Sequence, residues 1–192
     1  PYPAEGTVHF LYAARVMREK GIDQFLAAAR EITARHPDTV FHVCGGCDDE
    51  GYQSILADAQ RQGLIRYHGL QRELLPFYRD CSCFLYPSYY PEGMSNVLLE
   101  AAACGRPVIA ADRPGCREPV EDGVTGYLVP TRDTAAVIEA AERFLALSPA
   151  QRARMGQAGR EKMEREFDRQ MVAAQYLRLI GQGKSTSSGG TV

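Results

Sequence analysis

The sequence has almost no excess of either charge and no long apolar run. Its 22 basic and 24 acidic side chains give a formal net charge of −2. Nothing therefore draws the whole chain to nucleic acid or an anionic membrane, and any anion site must be local. No stretch approaches the ~20 apolar residues that span a bilayer, and residues 1–6 lack the basic and apolar segments of a secretory signal. We expect a cytoplasmic protein that binds no nucleic acid.

Several chemical motifs are also missing. The sequence contains no G-x-G-x-x-G fingerprint, which disfavours a nicotinamide dehydrogenase, and no Asp-x-Asp metal motif. The C-x-x-C formed by Cys44 and Cys47 has no second copy, and Cys81 and Cys83 have the wrong spacing for a zinc ribbon. A redox or zinc element is the alternative, but these spacings favour structural thiols. The histidines are scattered along the sequence and are interpreted as surface or core residues: His9, His36, His42 and His68.

What is present is an alternation of short apolar runs with segments of helical periodicity. The runs are continuous, which is typical of parallel strands covered on both faces. Predicted strands cover residues 8–12, 40–44, 64–67, 83–86, 107–111 and 126–129, and predicted helices cover 22–36, 52–62, 74–79, 96–104, 134–147, 150–167 and 169–180. This order predicts an α/β fold, a Rossmann-like doubly wound parallel sheet, in one domain over 7–182 with a disordered polar tail over 183–192.

Ligands of such sheets bind outside the carboxyl ends of the strands, so the segments that follow strands are the candidates. Segment 15–21 follows the first predicted strand and contains Arg15 and Lys20. Two cations at that edge could hold a diphosphate. The alternative is a pair of solvated surface charges.

The second candidate is segment 87–96, which leads from the fourth predicted strand into a strongly apolar helix. Gly93 allows a close approach of the backbone to a ligand. The start of a helix has free amides and favours an anion. Ser95 could also serve as a plain helix cap. The amides that would face a ligand belong to Met94, Ser95, Asn96 and Val97.

The third candidate is Glu100, which lies between apolar residues inside that same helix. A carboxylate buried there needs a partner, because an unpaired buried charge is expensive. A pair of ligand hydroxyls, such as those of a ribose, could be that partner. The alternative is a buried salt bridge to an arginine or lysine of the chain.

Taken together, these segments resemble family 4 of the GT-B glycosyltransferases. Segment 91–101 resembles the E-x7-E motif of that family, with Glu92 and Glu100 as its two carboxylates, and segment 15–21 resembles its R-x4-K-G motif. Segments 66–69, 102–109, 115–118 and 122–129 also follow the family pattern. The match runs in the right order over about residues 7–180, and the combination is far more specific than any one segment.

The resemblance implies a role for each matched residue. Arg15 and Lys20 would hold the donor diphosphate and stabilise it as it leaves, together with a helix N-terminus, so that no metal or cofactor is required. Glu92 would face the donor sugar near the reacting centre, and Glu100 would bind the ribose hydroxyls. Backbone groups around Arg66 and Tyr67 would meet the edge of the base. Amides of the loop and helix start would meet the sugar and phosphates: Gly93, Met94, Ser95, Asn96 and Val97.

The resemblance also implies what the whole protein does. It would be a retaining enzyme that transfers a sugar from a nucleoside-diphosphate sugar, UDP rather than GDP, to a saccharide or lipid-linked acceptor. Its acceptor-binding N-terminal domain does not precede Pro1, and the chain has about half the family's length, so we expect this fragment to be inactive alone. Peripheral contact with the inner face of a membrane is possible in the full enzyme. The alternatives are a stand-alone nucleotide-sugar-binding module and a GT-B epimerase, which the E-x7-E match disfavours.

Overall fold

The protein forms one parallel sheet with helices on both sides. The computed structural model describes residues 2–3, 6–91, 93–168, 170, 177–178 and 180. Most of the predicted helix over 169–180, all of the predicted tail over 183–192 and Glu92 lie outside these described residues. Within them, no helix is long and apolar enough to cross a membrane.

The sheet has six strands in the order β3-β2-β1-β4-β5-β6, and every neighbouring pair is parallel. The strands are β1 (Val8–Ala13), β2 (Thr39–Cys44), β3 (Arg66–Tyr67), β4 (Cys83–Tyr86), β5 (Val108–Ala111) and β6 (Gly126–Val129). The doubly wound prediction is confirmed. The third strand is shorter than predicted because the Leu64 amide donates to the Ala59 carbonyl oxygen at 2.9 Å, which ties Leu64 to the preceding helix.

The described helices are α1 (Ile22–Arg35), α2 (Glu50–Arg61), α3 (Leu75–Asp80), α4 (Asn96–Ala103), α5 (Thr134–Leu145) and α6 (Pro149–Glu166). Side chains cap three of them, which explains where they begin. Asp49 accepts from the Tyr52 amide and Asp133 from the Ala136 amide, each a standard N-cap. Ser148 forms a reciprocal capping box with Gln151 at the start of α6.

The core on one face of the sheet is a cluster of phenylalanines. Phe10 of β1 stacks on Phe41 of β2 with ring centroids 4.8 Å apart. Phe25 of α1 and Phe144 of α5 meet these two rings edge-on at 5.4 and 5.9 Å. All four side chains are fully buried. Helix α1 packs against α5, and α4 packs against α6.

The topology places a crevice beside β1. Strand β1 pairs with β2 on one side and with β4 on the other, and the chain winds outward in opposite directions from this pair. The chain therefore leaves β1 and β4 toward helices on opposite faces of the sheet, and the carboxyl ends of these two strands are the point where open α/β sheets bind ligands. The loops that follow these two strands carry residues that the sequence singled out.

Candidate functional site

A cavity of about 330 Å³ opens at the carboxyl ends of β1 and β2. Arg15 lies on its rim from the β1 side, and Val97 reaches it from the first turn of α4. The structure thus brings together residues from two of the predicted segments. The rest of the lining is mainly small or apolar: Ala13, Ala14, Cys44, Gly45, Gly46, Asp48, Leu70, Gln71 and Leu74.

The floor of this cavity is shaped by a close approach of two backbones. A Cβ on Gly45 would lie 1.7 Å from the Ala14 carbonyl oxygen, so only glycine fits there. The Ala14 amide donates to the Cys44 oxygen at 3.0 Å, and the Gly45 amide donates to the Gly69 oxygen at 2.8 Å. The segments that follow β1, β2 and β3 are thereby joined into one continuous surface.

Arg66 and Tyr67 support this cavity without lining it. Both belong to β3 itself, and the residues of that connection that reach the cavity are Leu70 and Gln71. The Tyr67 hydroxyl donates to the Gly45 carbonyl oxygen at 2.9 Å. Burial raises the pKa of the Tyr67 hydroxyl, so it stays a donor at neutral pH. The expected contact of a base with the backbone of Arg66 and Tyr67 stays a prediction.

Lys20 lies where the β1 and β4 connections touch. It ends a 3-10 turn over Arg18–Lys20, and its Nζ atom stands 4.4 Å from the centre of the Tyr90 ring. A Cβ on Gly21 would lie 2.4 Å from the Pro87 oxygen, so the two backbones are in direct contact. The Tyr89 amide donates to the Glu19 oxygen at 2.9 Å. The position of Lys20 relative to the β4 connection is therefore fixed by the backbone.

The entrance of α4 differs from the prediction in one respect. The Ser95 amide is not available to a ligand, because it donates to the Gly115 oxygen at 2.9 Å. The amides of Asn96 and Val97 stand in the first turn, where a helix leaves its N–H groups without an internal acceptor. Ser95 is the N-cap by position, but its hydroxyl makes no cap bond and is buried with no hydrogen-bonding partner among the described residues.

The glycine before this helix faces open space. A Cβ on Gly93 would meet nothing within 4 Å, so the protein's own packing does not require glycine there. Met94, the next residue, is also exposed. A ligand that comes close to the backbone would explain why glycine stands at this position, and that contact stays a prediction.

Glu100 is exposed, which corrects the argument made from its apolar neighbours. The buried face of α4 is formed by Leu98, Ala101 and Ala102, and the carboxylate points away from that face. Its Oε2 atom accepts a hydrogen bond from the Tyr78 hydroxyl at 3.1 Å. Burial, reinforced by the Glu100 charge, raises the Tyr78 pKa. No salt bridge to Glu100 occurs among the described residues, and its expected role toward a ribose stays a prediction.

Three of the four histidines, although far apart in the sequence, lie next to one another in the fold. Nδ1 of His9 lies 2.9 Å from Nε2 of His42, and Nδ1 of His42 lies 3.0 Å from Nε2 of His68. These residues come from β1, β2 and the residue after β3, so register places them side by side. Their sequence separations of 33 and 26 residues gave no local signal. His36 instead contacts Glu142 at 2.7 Å.

The cysteines near the cavity are thiols with little reactivity. Burial raises the pKa of the Cys44 thiol to about 12, so this thiol stays protonated at neutral pH. Burial also raises the pKa of the Cys47 thiol. Among the described residues, no group of His, Cys, Asp or Glu is arranged to hold a metal ion. A larger groove of about 610 Å³ lies between α1, α2 and α5. Because it is lined by helix side chains such as Arg30 and Ile55, away from the strand ends, we place the site at the smaller cavity.

A doubly wound parallel sheet with a cavity across its switch point defines a Rossmann-like ligand-binding domain. The chain belongs to the family described as Glycosyl transferases group 1, whose model matches residues 3–162. It is 32% identical over 178 residues to the glycogen synthase of Mycobacterium tuberculosis, covering 89% of this chain and 42% of that one. It is 34% identical over 163 residues to the D-inositol 3-phosphate glycosyltransferase of an Arthrobacter strain, covering 80% and 38%. The chain thus spans less than half the length of these curated relatives.

Solved structures show the same fold. Sucrose-phosphate synthase from Thermosynechococcus elongatus superposes with a TM-score of 0.79 at 31% identity, over 96% of this chain and 47% of that one. The crystal structure described as the C-terminal domain of the group 1 glycosyltransferase LpcC from Francisella tularensis superposes with a TM-score of 0.75 at 22% identity. That match covers 86% of this chain and 95% of the other. The chain therefore has the fold of these glycosyltransferase structures.

Proposed function

We propose that this chain is the donor-binding half of a retaining family 4 glycosyltransferase that uses a nucleoside-diphosphate sugar, UDP rather than GDP as the nucleotide. The observation that carries this is the cavity at the switch point, which has Arg15 on its rim and the first turn of α4 at its side. An apolar slot beside a cation and a helix start suits a base joined to a diphosphate.

In this proposal the base and ribose enter the cavity between Gly45 and Leu70. The diphosphate lies between Arg15, Lys20 and the amides of Asn96 and Val97. These groups stabilise the negative charge that develops as the sugar leaves, so neither a metal nor a cofactor is needed. Because the backbone already holds Lys20 against the β4 connection, little reorganisation accompanies the reaction.

The two carboxylates of the E-x7-E segment have separate roles in this scheme. Glu92 faces the sugar, where positive charge grows as the bond to the diphosphate breaks, and helps mainly in the transition state. Glu100 binds the ribose hydroxyls, with the Tyr78 hydroxyl holding its Oε2 atom. The acceptor, a saccharide or lipid-linked saccharide, would be held by an N-terminal domain, with peripheral contact to a membrane.

The relatives support this proposal by what their descriptions state. The neighbour HepE from Anabaena was crystallised with UDP-glucose and superposes with a TM-score of 0.79 at 21% identity. A Campylobacter jejuni relative, 25% identical, is described as an N-acetylgalactosaminyltransferase acting on a diphospho-undecaprenol acceptor. A nucleotide-sugar donor and a saccharide or lipid-linked acceptor are therefore the natural first choices for tests on this chain.

The test is a melting and calorimetry panel of UDP, GDP, ADP and their sugars on this chain. At about 100 times its dissociation constant, a ligand that binds only the folded state stabilises it by ~2.7 kcal/mol. We expect UDP and a UDP-sugar to raise the melting temperature most. The absence of any response to all nucleotides at millimolar concentration would contradict the proposal, and a stronger response to GDP would correct the base.

A further inference from the structure

Three histidines form a hydrogen-bonded row that crosses the neighbouring strands β1 and β2 and ends just after β3. We name His9, His42 and His68 the histidine row. Its N–N distances are 2.9 and 3.0 Å, and its ring centroids lie 5.1 and 5.2 Å apart. Each of its side chains is partly buried. Both contacts are short enough to be hydrogen bonds, and each therefore needs one proton between its two nitrogens.

The number of protons in the row is restricted by this geometry. A neutral imidazole carries one N–H and one acceptor nitrogen, so the neutral row places two protons in its hydrogen bonds and one on an outer nitrogen, either Nε2 of His9 or Nδ1 of His68. A first added proton fills the other outer nitrogen and leaves both bonds intact. A second added proton would make two N–H groups face each other at about 3 Å, which breaks one bond.

The surroundings favour the neutral row. Burial lowers the pKa of His9 and His68, and it lowers the pKa of His42 to about 4. The charged groups that face the row are Arg66 of β3, which lowers the pKa of all three, and Asp80 at the end of α3, which raises that of His9. Helix α3 also covers His68 with the ring of Phe77, centroids 4.9 Å apart.

The row ends at the wall of the cavity. Gln71 donates from its Nε2 atom to the His68 carbonyl oxygen, and Gln71 lines the cavity together with Leu70. The strand that precedes this wall, β3, is only two residues long. Two main-chain hydrogen bonds attach the segment after β3 to the segment of β2. The His68 amide donates to the Val43 oxygen at 2.9 Å, and the Gly69 oxygen accepts from the Gly45 amide. The side-chain bond from His42 to His68 adds to these main-chain bonds at the residue from which the wall continues.

We propose that the histidine row positions the cavity wall formed by Leu70 and Gln71, and that nucleotide affinity falls in acid when the row takes up a second proton. The inference rests on the proposed nucleotide-binding function. His9, His42 and His68 are positioning residues, since none of them lines the cavity.

The direction of the pH effect follows from the lowered pKa values. A histidine whose pKa is lower in the fold than its ordinary value near 6.5 stabilises the folded wall fully above about pH 6.5. That contribution is lost as the pH falls from about 6.5 toward 4, the pKa of His42. The ordered wall, and with it tight binding, is therefore expected at neutral pH and lost in mild acid.

The experiment is calorimetry of UDP binding at pH 7.5 and pH 5.0 on the chain and three variants. His68→Leu removes the bond to His42 and should weaken binding at pH 7.5 about fivefold, the loss expected for one net hydrogen bond. His68→Gln places an amide near the position of Nε2 and cannot titrate, so it should recover part of that loss. His36→Gln is the matched control, because His36 contacts Glu142 outside the row.

The quantity measured is each variant's ratio of affinities at the two pH values, and the titration of the UDP phosphate cancels when these ratios are compared between variants. We expect the ratio to be about tenfold larger for the unaltered chain and His36→Gln than for His68→Gln, since one unit of pKa is a factor of ten. Equal ratios for all variants would overturn the proposal. If none binds UDP at pH 7.5, the proposed function fails. Amide exchange then tests the wall alone. If the protection factors of Leu70 and Gln71, which correct for the slower intrinsic exchange in acid, do not fall at pH 5.0, the proposal is overturned.

Discussion

The two sides of the candidate site are built differently. On the phosphate side, formed by segments 15–21 and 87–95, backbones touch directly where Gly21 meets Pro87, and Arg113 donates to the Tyr90 oxygen. On the base side, formed by segments 45–46 and 68–74, the wall continues from a two-residue strand. Direct contact between two connections fixes the first side. On the second side Gly45 makes a similar contact with Ala14 at the floor, whereas the wall at Leu70 and Gln71 continues from hydrogen bonds of His68 and Gly69.

This difference matches the demands of the proposed reaction. Groups that stabilise a developing charge act best when they need no rearrangement, and Lys20 is held where the two connections meet. The base takes no part in bond breaking, so its wall can be adjustable without cost to the chemistry. We therefore expect changes on the phosphate side to have larger effects than comparable changes on the base side.

The largest expected effect comes from adding one methyl group on each side. Gly21 and Gly69 both have positive φ, 81° and 67°, so Gly→Ala costs about 1–2 kcal/mol at either position. Only at Gly21 does the new Cβ also collide, 2.4 Å from the Pro87 oxygen, whereas Gly69 has open space. Gly21→Ala should therefore lose about 3 kcal/mol of unfolding free energy in total. Urea unfolding measures both, and equal losses would remove the distinction between the sides.

The next effect concerns the cations. Arg15→Ala and Lys20→Ala should each weaken UDP binding by about 1.5–3 kcal/mol, the value of a charge-assisted hydrogen bond. The affinity for uridine, which has no phosphate, should fall much less. Calorimetry with both ligands makes the comparison. Equal losses for UDP and uridine would place these two side chains away from the phosphates.

The smallest effect concerns the carboxylates. Glu100→Gln keeps an oxygen near the Tyr78 hydroxyl but removes the charge, and it should weaken UDP by about 1 kcal/mol. Glu92→Gln should leave UDP affinity nearly unchanged and lower the turnover of a full-length enzyme. Dissociation constants followed by kinetics with an N-terminal half restored would measure this. If both variants lose the same UDP affinity, the two carboxylates do not have separate roles.

Much of the fold could be predicted because it depends on local signals. Apolar runs of strand length, separated by helical periodicity, gave the parallel sheet, and the position of Arg15 after β1 led to the cavity. Strand order placed the β1 and β4 connections at one edge, where Arg15 and Val97 do meet. The exception is the start of the third strand, where the hydrogen bond from the Leu64 amide to the preceding helix takes Leu64 out of the sheet.

What sequence reasoning missed depends on register and on direction around a helix. The histidine row depends on register: His42 lies two residues beyond Val40, the partner of His9, and His68 lies two residues beyond Arg66, the partner of His42. No sequence pattern gives that alignment. Glu100 has apolar neighbours on both sides, yet it lies on the exposed side of a short helix. The Ser95 amide is taken by Gly115, a partner from the next connection that no local motif announces.

The central position of β1 has a consequence for how the chain folds. Its partner on one side, β2, follows after the single helix α1. Its partner on the other side, β4, begins only at Cys83, which pairs with Phe10. During synthesis the β4 side of β1 is therefore an open strand edge until more than 70 further residues have been added, and such edges favour pairing with other chains. Parallel pairings of this range also form slowly. Changes in β4 should consequently reduce the yield and rate of refolding more than their effect on equilibrium stability would suggest.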